Sequence, residues 1–203
     1  MTVPTSLQAV GMARFTSKYL SILIAESFAS GKCLIGNDCP HFSPLPFPIL
    51  FYSRWDIRTK RCFDRFKNED GTPSSSLSAS ARFLAVGAES GVVNVYNNRG
   101  AASSGSFASK RQPVKSVMNL QTSADYVKFN HDGQILAMAS RREKNSMKLL
   151  HIPSQTVFSN WPTSKTPLNY VWSMDFSPGS KYMTVGNDQG KCLLYRLPHY
   201  DDQ

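Results

Sequence analysis

The chain has 203 residues, 41% of them hydrophobic and 11% aromatic, a composition that is ordinary for a globular protein and excludes a disordered chain. Lysine and arginine exceed aspartate and glutamate by 23 − 14 = 9, which indicates acidic or nucleic-acid surroundings without identifying a specific partner. Two apolar stretches, residues 19–25 and 45–52, fall short of the roughly 20 residues that a membrane span needs, so we expect no membrane association.

The first 54 residues differ in pattern from the rest. Residues 39–53 contain four prolines, which exclude a central strand because proline cannot donate a ladder hydrogen bond. Residues 14–22 echo residues 175–183, so one hypothesis is a damaged copy of the repeat that follows. A splicing or gene-model artefact is the other hypothesis, since Phe, Pro, Leu and Ser have pyrimidine-rich codons. We therefore predict a divergent or artefactual segment, 1–54, followed by a repeat region, 55–203.

From Trp55 onward one pattern recurs: an apolar run ending in a small residue, a short polar turn, and a second apolar run. The small residues Gly87, Ala139 and Gly186 are spaced by 52 and 47 residues, slightly above the roughly 40–45 of WD repeats. The second runs end at Trp55, Tyr96, His151 and Tyr195. Asp56 completes the Trp-Asp dipeptide that names the WD repeat. We assign structural roles in the repeat to Trp55, Asp56, Gly87, Tyr96, Gly186 and Tyr195.

Alternating apolar and polar residues predict strands throughout the repeat region. The predicted strands, in chain order, are residues 61–66, 82–87, 91–96, 114–120, 126–130, 134–139, 146–151, 156–161, 172–176, 181–186 and 190–195. The fold class is therefore all-β: a partial WD40 β-propeller of about three and a half blades, each a four-stranded antiparallel sheet. Because a propeller closes with about four to eight blades, we expect that this chain does not close alone.

No catalytic, cofactor or metal site is expected. Cys33, Cys39 and His41 lack the second cluster that a zinc site requires. Residues 186–191 resemble a phosphate loop but lack one spacer and the hydroxyl residue after lysine, so they predict a hairpin turn.

Two predicted loops carry basic residues, namely Lys110, Arg111, Arg141, Arg142 and Lys144. They are interpreted either as solvated loop charges or as contacts to RNA phosphates, which would carry no base specificity. Tyr126, Trp161 and Trp172 are predicted to lie in the core, with stacking on RNA bases as the alternative.

Several runs are more specific than a generic WD repeat. They are residues 90–96, 113–120, 157–160, 174–178 and 194–200. Val-Met-Asn-Leu at 117–120 and the ending Tyr-Arg-Leu-Pro-His-Tyr at 195–200 are the most distinctive. In these runs the chain resembles the U3 small nucleolar RNA-associated protein 18 family, in its carboxy-terminal portion and over residues 55–203.

The resemblance implies a non-catalytic scaffold subunit of the small-subunit processome, located in the nucleolus. Its partners would be other WD-repeat and scaffold subunits, with U3 RNA and precursor ribosomal RNA contacted indirectly, and it would need no cofactor or small-molecule substrate. Two alternatives remain: a generic WD40 adaptor outside the nucleolus, and a truncated fragment without function.

Overall fold

The computed structural model describes residues 13–14, 21–27, 50–56, 61–98, 109–162 and 167–197, with side-chain surroundings given for residues 52, 64–98, 111–162 and 167–197. Within these residues all regular secondary structure is β-strand. The strands form four sheets, which we number 1 to 4 in chain order. All strand pairs in the described part are antiparallel except one short parallel pair in sheet 1. No sheet closes on itself, so the prediction of an all-β, partial propeller is confirmed.

Sheet 1 has five strands: β1 (Ala13–Arg14), β2 (Ser21–Ser27), β3 (Leu50–Asp56), β4 (Arg61–Lys67) and, parallel to β4, β8 (Ser109–Lys110). Strand β3 is central, with β2 on one side and β4 on the other. The expectation that residues 39–53 exclude a central strand is wrong for their last part, because all four prolines precede Leu50. The division between residues 54 and 55 lies inside β3 and stays a prediction.

Sheet 2 consists of β5 (Ser74–Ala79), β6 (Phe83–Ala88), β7 (Val93–Asn97) and β9 (Lys115–Val117). The alternation of apolar and polar residues did not predict β5, because the buried side chains of this strand are serines rather than apolar residues. Ser75 and Ser76 donate hydrogen bonds to the carbonyl oxygen of Ala124. Ser78 Oγ accepts one from the Phe129 N–H at 3.1 Å. These hydroxyl groups therefore connect sheet 2 with the beginning of sheet 3.

Sheets 3 and 4 follow the predicted strands closely. Sheet 3 consists of β10 (Tyr126–Phe129), β11 (Ile135–Ala139), β12 (Met147–His151) and β13 (Thr156–Val157). Sheet 4 consists of β14 (Val171–Phe176), β15 (Tyr182–Asn187) and β16 (Cys192–Arg196). The outer strand β13 is shorter than the predicted 156–161.

The core lies between the sheets. Tyr52 and Phe66 of sheet 1 pack against Leu84, Val86 and Tyr96 of sheet 2. A larger cluster joins sheets 2 and 3, and a third joins sheets 3 and 4. Sheet 3 is therefore covered on both faces.

Sheet 4 is covered on one face. Met183 and Val185 are fully buried against sheet 3. On the opposite face Tyr182 is 44% exposed and Leu194 is 65% exposed. The described part of the chain thus ends in an open face that carries these two large apolar side chains.

Candidate interaction surface

The five predicted basic residues lie in two separate places. Lys110 ends β8 and Arg111 follows it, beside sheet 1. Arg141, Arg142 and Lys144 lie in the connection between β11 and β12, at one end of sheet 3. The structure therefore does not join them in one basic patch, and their contact with RNA stays a prediction.

Arg111 has partners within the chain. One of its guanidinium nitrogens is 2.9 Å from the Asp64 carboxylate, and both side chains are largely buried, with 13% and 10% exposed. The guanidinium also lies over the Phe66 ring, 4.8 Å from its centroid. Arg111 thus ties the segment after β8 to strand β4 by a charge-assisted hydrogen bond and a cation–π contact.

Arg141 contacts aromatic rings of two neighbouring sheets. Its guanidinium carbon lies 4.5 Å from the centroid of Tyr126, at the start of β10, and 5.2 Å from that of Trp172, in β14. Arg141 also donates a hydrogen bond to the Tyr126 hydroxyl. We call these three residues the Arg141 cluster. Trp172 is 52% exposed, so the prediction that it belongs to the core is wrong.

The loop that carries Arg141 is held at its base and on its far side. Its ends are joined by a hydrogen bond from the Ser140 N–H to the Ser146 carbonyl at 2.9 Å. Asn145 Oδ1 accepts hydrogen bonds from the N–H groups of Leu168 and Asn169 at 2.8 and 3.1 Å. The Asn145 N–H in turn donates to the Asn169 carbonyl at 2.9 Å. The loop is therefore fastened to the segment that enters sheet 4.

The Arg141 cluster lies among charges of both signs. The Arg141 N–H donates to the Asp125 carboxylate at 2.9 Å, and Lys144 lies over the Tyr170 ring at 5.6 Å. Four cations and three carboxylates occupy this end of sheets 3 and 4: Arg141, Arg142, Lys144, Lys191, Asp125, Glu143 and Asp188. Carboxylates are therefore interspersed among the cations of this surface.

The repeat-signature residues have different surroundings. Trp55 and Asp56 end β3, and their side chains lie outside the described set. A Cβ atom on Gly87 would approach Ser76 Oγ and come within 2.8 Å of the Ala124 carbonyl oxygen. A Cβ atom on Gly186 would contact only Ser173, so close packing requires glycine more strongly at Gly87 than at Gly186.

Two tyrosines provide polar groups at the junction of sheets 1 and 2. The Tyr96 hydroxyl donates to Asn68 Oδ1 at 2.6 Å and accepts from the Glu69 N–H at 3.2 Å. The Tyr52 hydroxyl is buried without a hydrogen-bond partner among the described residues. Burial raises the pKa of Tyr52 far above its ordinary value, and the neighbouring Tyr96 raises it further. Burial also raises the pKa of Tyr96.

Tyr195, the last residue of the aromatic series, packs edge-on against Trp161, with 4.6 Å between ring centroids. Cys33, Cys39 and His41 lie outside the described residues. Among the residues that the structure does describe, no group of three His, Cys, Asp or Glu side chains is placed to hold a metal ion. In the same residues no helix is long and apolar enough to cross a membrane.

Sheets that stack face to face through buried clusters, without closing, define an open partial β-propeller. A solved structure, the crystal structure of the computationally designed Ika4 protein, is similar to this chain with a TM-score of 0.61, covering 96% of this chain and 94% of its own. Its sequence identity is 12%, so this likeness bears on the fold alone. No protein-family profile matches the chain.

Curated proteins identify the family. The chain is 45% identical over 150 residues to the U3 small nucleolar RNA-associated protein 18 homolog of Arabidopsis thaliana, and 40% identical over 151 residues to that of Homo sapiens. Each match covers 73% of this chain and about a quarter of the relative, 27% and 26% respectively. The protein of the same name from Saccharomyces cerevisiae is 50% identical over 119 residues, 59% of this chain and 19% of its own. The chain belongs to the U3 small nucleolar RNA-associated protein 18 family, which confirms the resemblance.

Proposed function

We propose that the chain is a non-catalytic scaffold in ribosome biogenesis, which supports assembly of the U3 small nucleolar ribonucleoprotein and the small-subunit processome and thereby processing of the precursor of 18S ribosomal RNA. The observation that carries this proposal is the 40 to 50% identity to plant, human and yeast relatives named for association with U3 RNA. Those names state an association and not a reaction, which supports a role without catalysis, cofactor or small-molecule substrate.

The proposed partners are other WD-repeat and scaffold subunits of the particle, in the nucleolus. Two observations favour protein contacts, with U3 RNA and precursor RNA reached indirectly. Arg111 is paired with Asp64 inside the chain, and three carboxylates lie among the four cations around Arg141. An RNA-binding surface would depend on an excess of cations facing phosphates. Direct contact through Lys110, Arg142 or Lys144 remains the second hypothesis.

The test is purification of the tagged full chain from nuclear extract, with measurement of U3 RNA and, as a control, 5S ribosomal RNA. We expect enrichment of U3 RNA over 5S RNA and a nucleolar signal by fluorescence microscopy. A diffuse signal with bound proteins but no U3 RNA would identify the chain as an adaptor outside the nucleolus. If neither proteins nor U3 RNA copurify with the chain, the chain is a fragment without function. Either of these two results would overturn the proposal.

A further inference from the structure

The Arg141 cluster has the composition of a protein-binding hot spot. Trp, Tyr and Arg are the residue types most enriched among side chains that dominate binding energy at protein interfaces. Here Arg141 contacts both Tyr126 and Trp172, and Trp172 remains 52% exposed. A large apolar ring that the chain leaves half uncovered, next to a fixed cation, is a surface that a partner can bury.

The cluster is preorganised. The guanidinium is held by two rings and by the Tyr126 hydroxyl, and the Arg141 N–H is bonded to Asp125. Asn145 and Asn169, which fasten the loop, both have a left-handed backbone, with φ of 57° and 54°. Such conformations cost energy in residues other than glycine and persist where the surroundings impose them. Little side-chain or loop freedom is therefore left to lose on binding.

The mixture of charges indicates the chemistry of the partner. A nucleic-acid strand presents one phosphate after another and depends on a continuous positive surface. Here three carboxylates lie among four cations, so successive phosphates would also face negative charges, whereas a ligand with one localised negative charge can pair with Arg141. A guanidinium fixed by stacking presents its remaining donors in a plane that matches a carboxylate. The exposed face of Trp172 suits an apolar side chain beside that carboxylate.

We propose that Tyr126, Arg141 and Trp172 form a docking site for an acidic protein segment, in which an Asp or Glu carboxylate pairs with Arg141 and a neighbouring large apolar side chain packs on Trp172. The site joins sheets 3 and 4, so it depends on the packing of these two repeats. It goes beyond the proposed function, because it names a residue-level contact that does not require association with U3 RNA.

The experiment uses the purified full chain and an array of synthetic twelve-residue peptides in which one Asp or Glu stands next to Leu, Phe or Trp in a background of Gly and Ser. Matched peptides carry Asn or Gln in place of the acids, and a labelled oligouridine of twelve nucleotides provides an RNA probe. Binding is measured by fluorescence anisotropy. We expect acidic peptides to bind and their amide counterparts to bind more weakly by about tenfold or more, the contribution of a charge-assisted hydrogen bond.

Two variants and one control locate the contact. Arg141→Ala and Trp172→Ala each remove an exposed side chain and are expected to weaken binding of the acidic peptides about thirtyfold, as for a hot spot. Arg82→Ala removes an exposed arginine in the turn between β5 and β6, away from the cluster, and is expected to bind as the unchanged chain does. Equal unfolding midpoints establish that the variants are folded.

Three results would overturn the docking site. The first is that no acidic peptide binds, and the second is that acidic and amide peptides bind alike. The third is that only oligouridine binds and that its affinity falls in Arg141→Ala, which would make the cluster an RNA contact. Peptide binding without U3 RNA in the purification experiment would leave the docking site standing and reject only the proposed function.

Discussion

Tyr52 and Tyr96 are both fully buried where sheets 1 and 2 meet, yet their hydroxyl groups differ in hydrogen bonding. The Phe66 ring lies between them, with centroids 5.2 Å from Tyr52 and 5.4 Å from Tyr96. Only the Tyr96 hydroxyl has partners among the described residues. A buried polar group without a partner lowers stability, whereas a bonded one does not.

Tyr52→Phe is therefore expected to raise the free energy of unfolding by about 1 kcal/mol, because it removes a buried hydroxyl that has no partner among the described residues. Tyr96→Phe is expected to lower it by about 1–2 kcal/mol, because the Glu69 N–H loses its acceptor and Asn68 loses a donor. Urea unfolding of the full chain measures both. The prediction fails if Tyr52→Phe is the less stable of the two.

The same pair predicts sensitivity to alkali. Burial raises the pKa of both phenols, so the folded state favours the neutral form and binds more protons than the unfolded state at high pH. Their contribution to stability is complete below the unfolded pKa of about 10 and declines as the pH rises above it. Unfolding midpoints measured from pH 8 to pH 11 are expected to fall, and to fall less steeply in Tyr52→Phe. An equally steep fall of the unfolding midpoint with pH in the unchanged chain and in Tyr52→Phe would contradict this prediction.

At the level of the strand, apolar alternation and turn glycines predicted sheets 3 and 4 because those features are local. Their hairpin turns contain Gly133 and Gly190 at φ of 70° and 71°, where glycine is favoured. Strand β5 was not predicted because its buried residues are serines that bond to the next sheet. The Arg141 cluster was not predicted as a unit because residues from two sheets meet only through packing. An exposed tryptophan in a strand cannot be distinguished from a core one by spacing alone.

A substitution at Gly87 tests how closely β6 approaches Ala124, in the segment before β10. Gly87→Ala places a methyl group against the backbone carbonyl of Ala124, which cannot rotate away, so we expect a loss of about 1–3 kcal/mol. Gly179→Ala is the matched control, since no atom lies within 4 Å of the added carbon, and it is expected to be neutral or slightly stabilising. Thermal unfolding followed by circular dichroism compares them. Similar losses in both variants would count against close packing at Gly87.

For the molecule as a whole, the open face of sheet 4 is the dominant feature. The equivalent positions in sheet 3, Ile135 and Leu149, are buried against sheet 4, whereas Tyr182 and Leu194 are exposed. An uncovered sheet face of this kind favours association.

We therefore expect the purified full chain to self-associate through sheet 4. Leu194→Lys is expected to shift it toward the monomer in sedimentation velocity, because a charge on this face opposes its burial. Asn119→Lys makes the same charge gain at an exposed position after β9 and serves as the control. A monomeric unchanged chain, or the same shift in both variants, would disprove self-association through this face.

The placement of the core between sheets also determines how cooperativity is distributed. Because each sheet is stabilised by its neighbours, the fold behaves as a linear series in which nearest-neighbour interfaces supply much of the free energy. Sheet 3 has two such interfaces and sheet 4 has one. Opening is therefore expected to start at sheet 4 and to move inward one repeat at a time, so that backbone amides in β15 exchange with solvent earlier than those in β11.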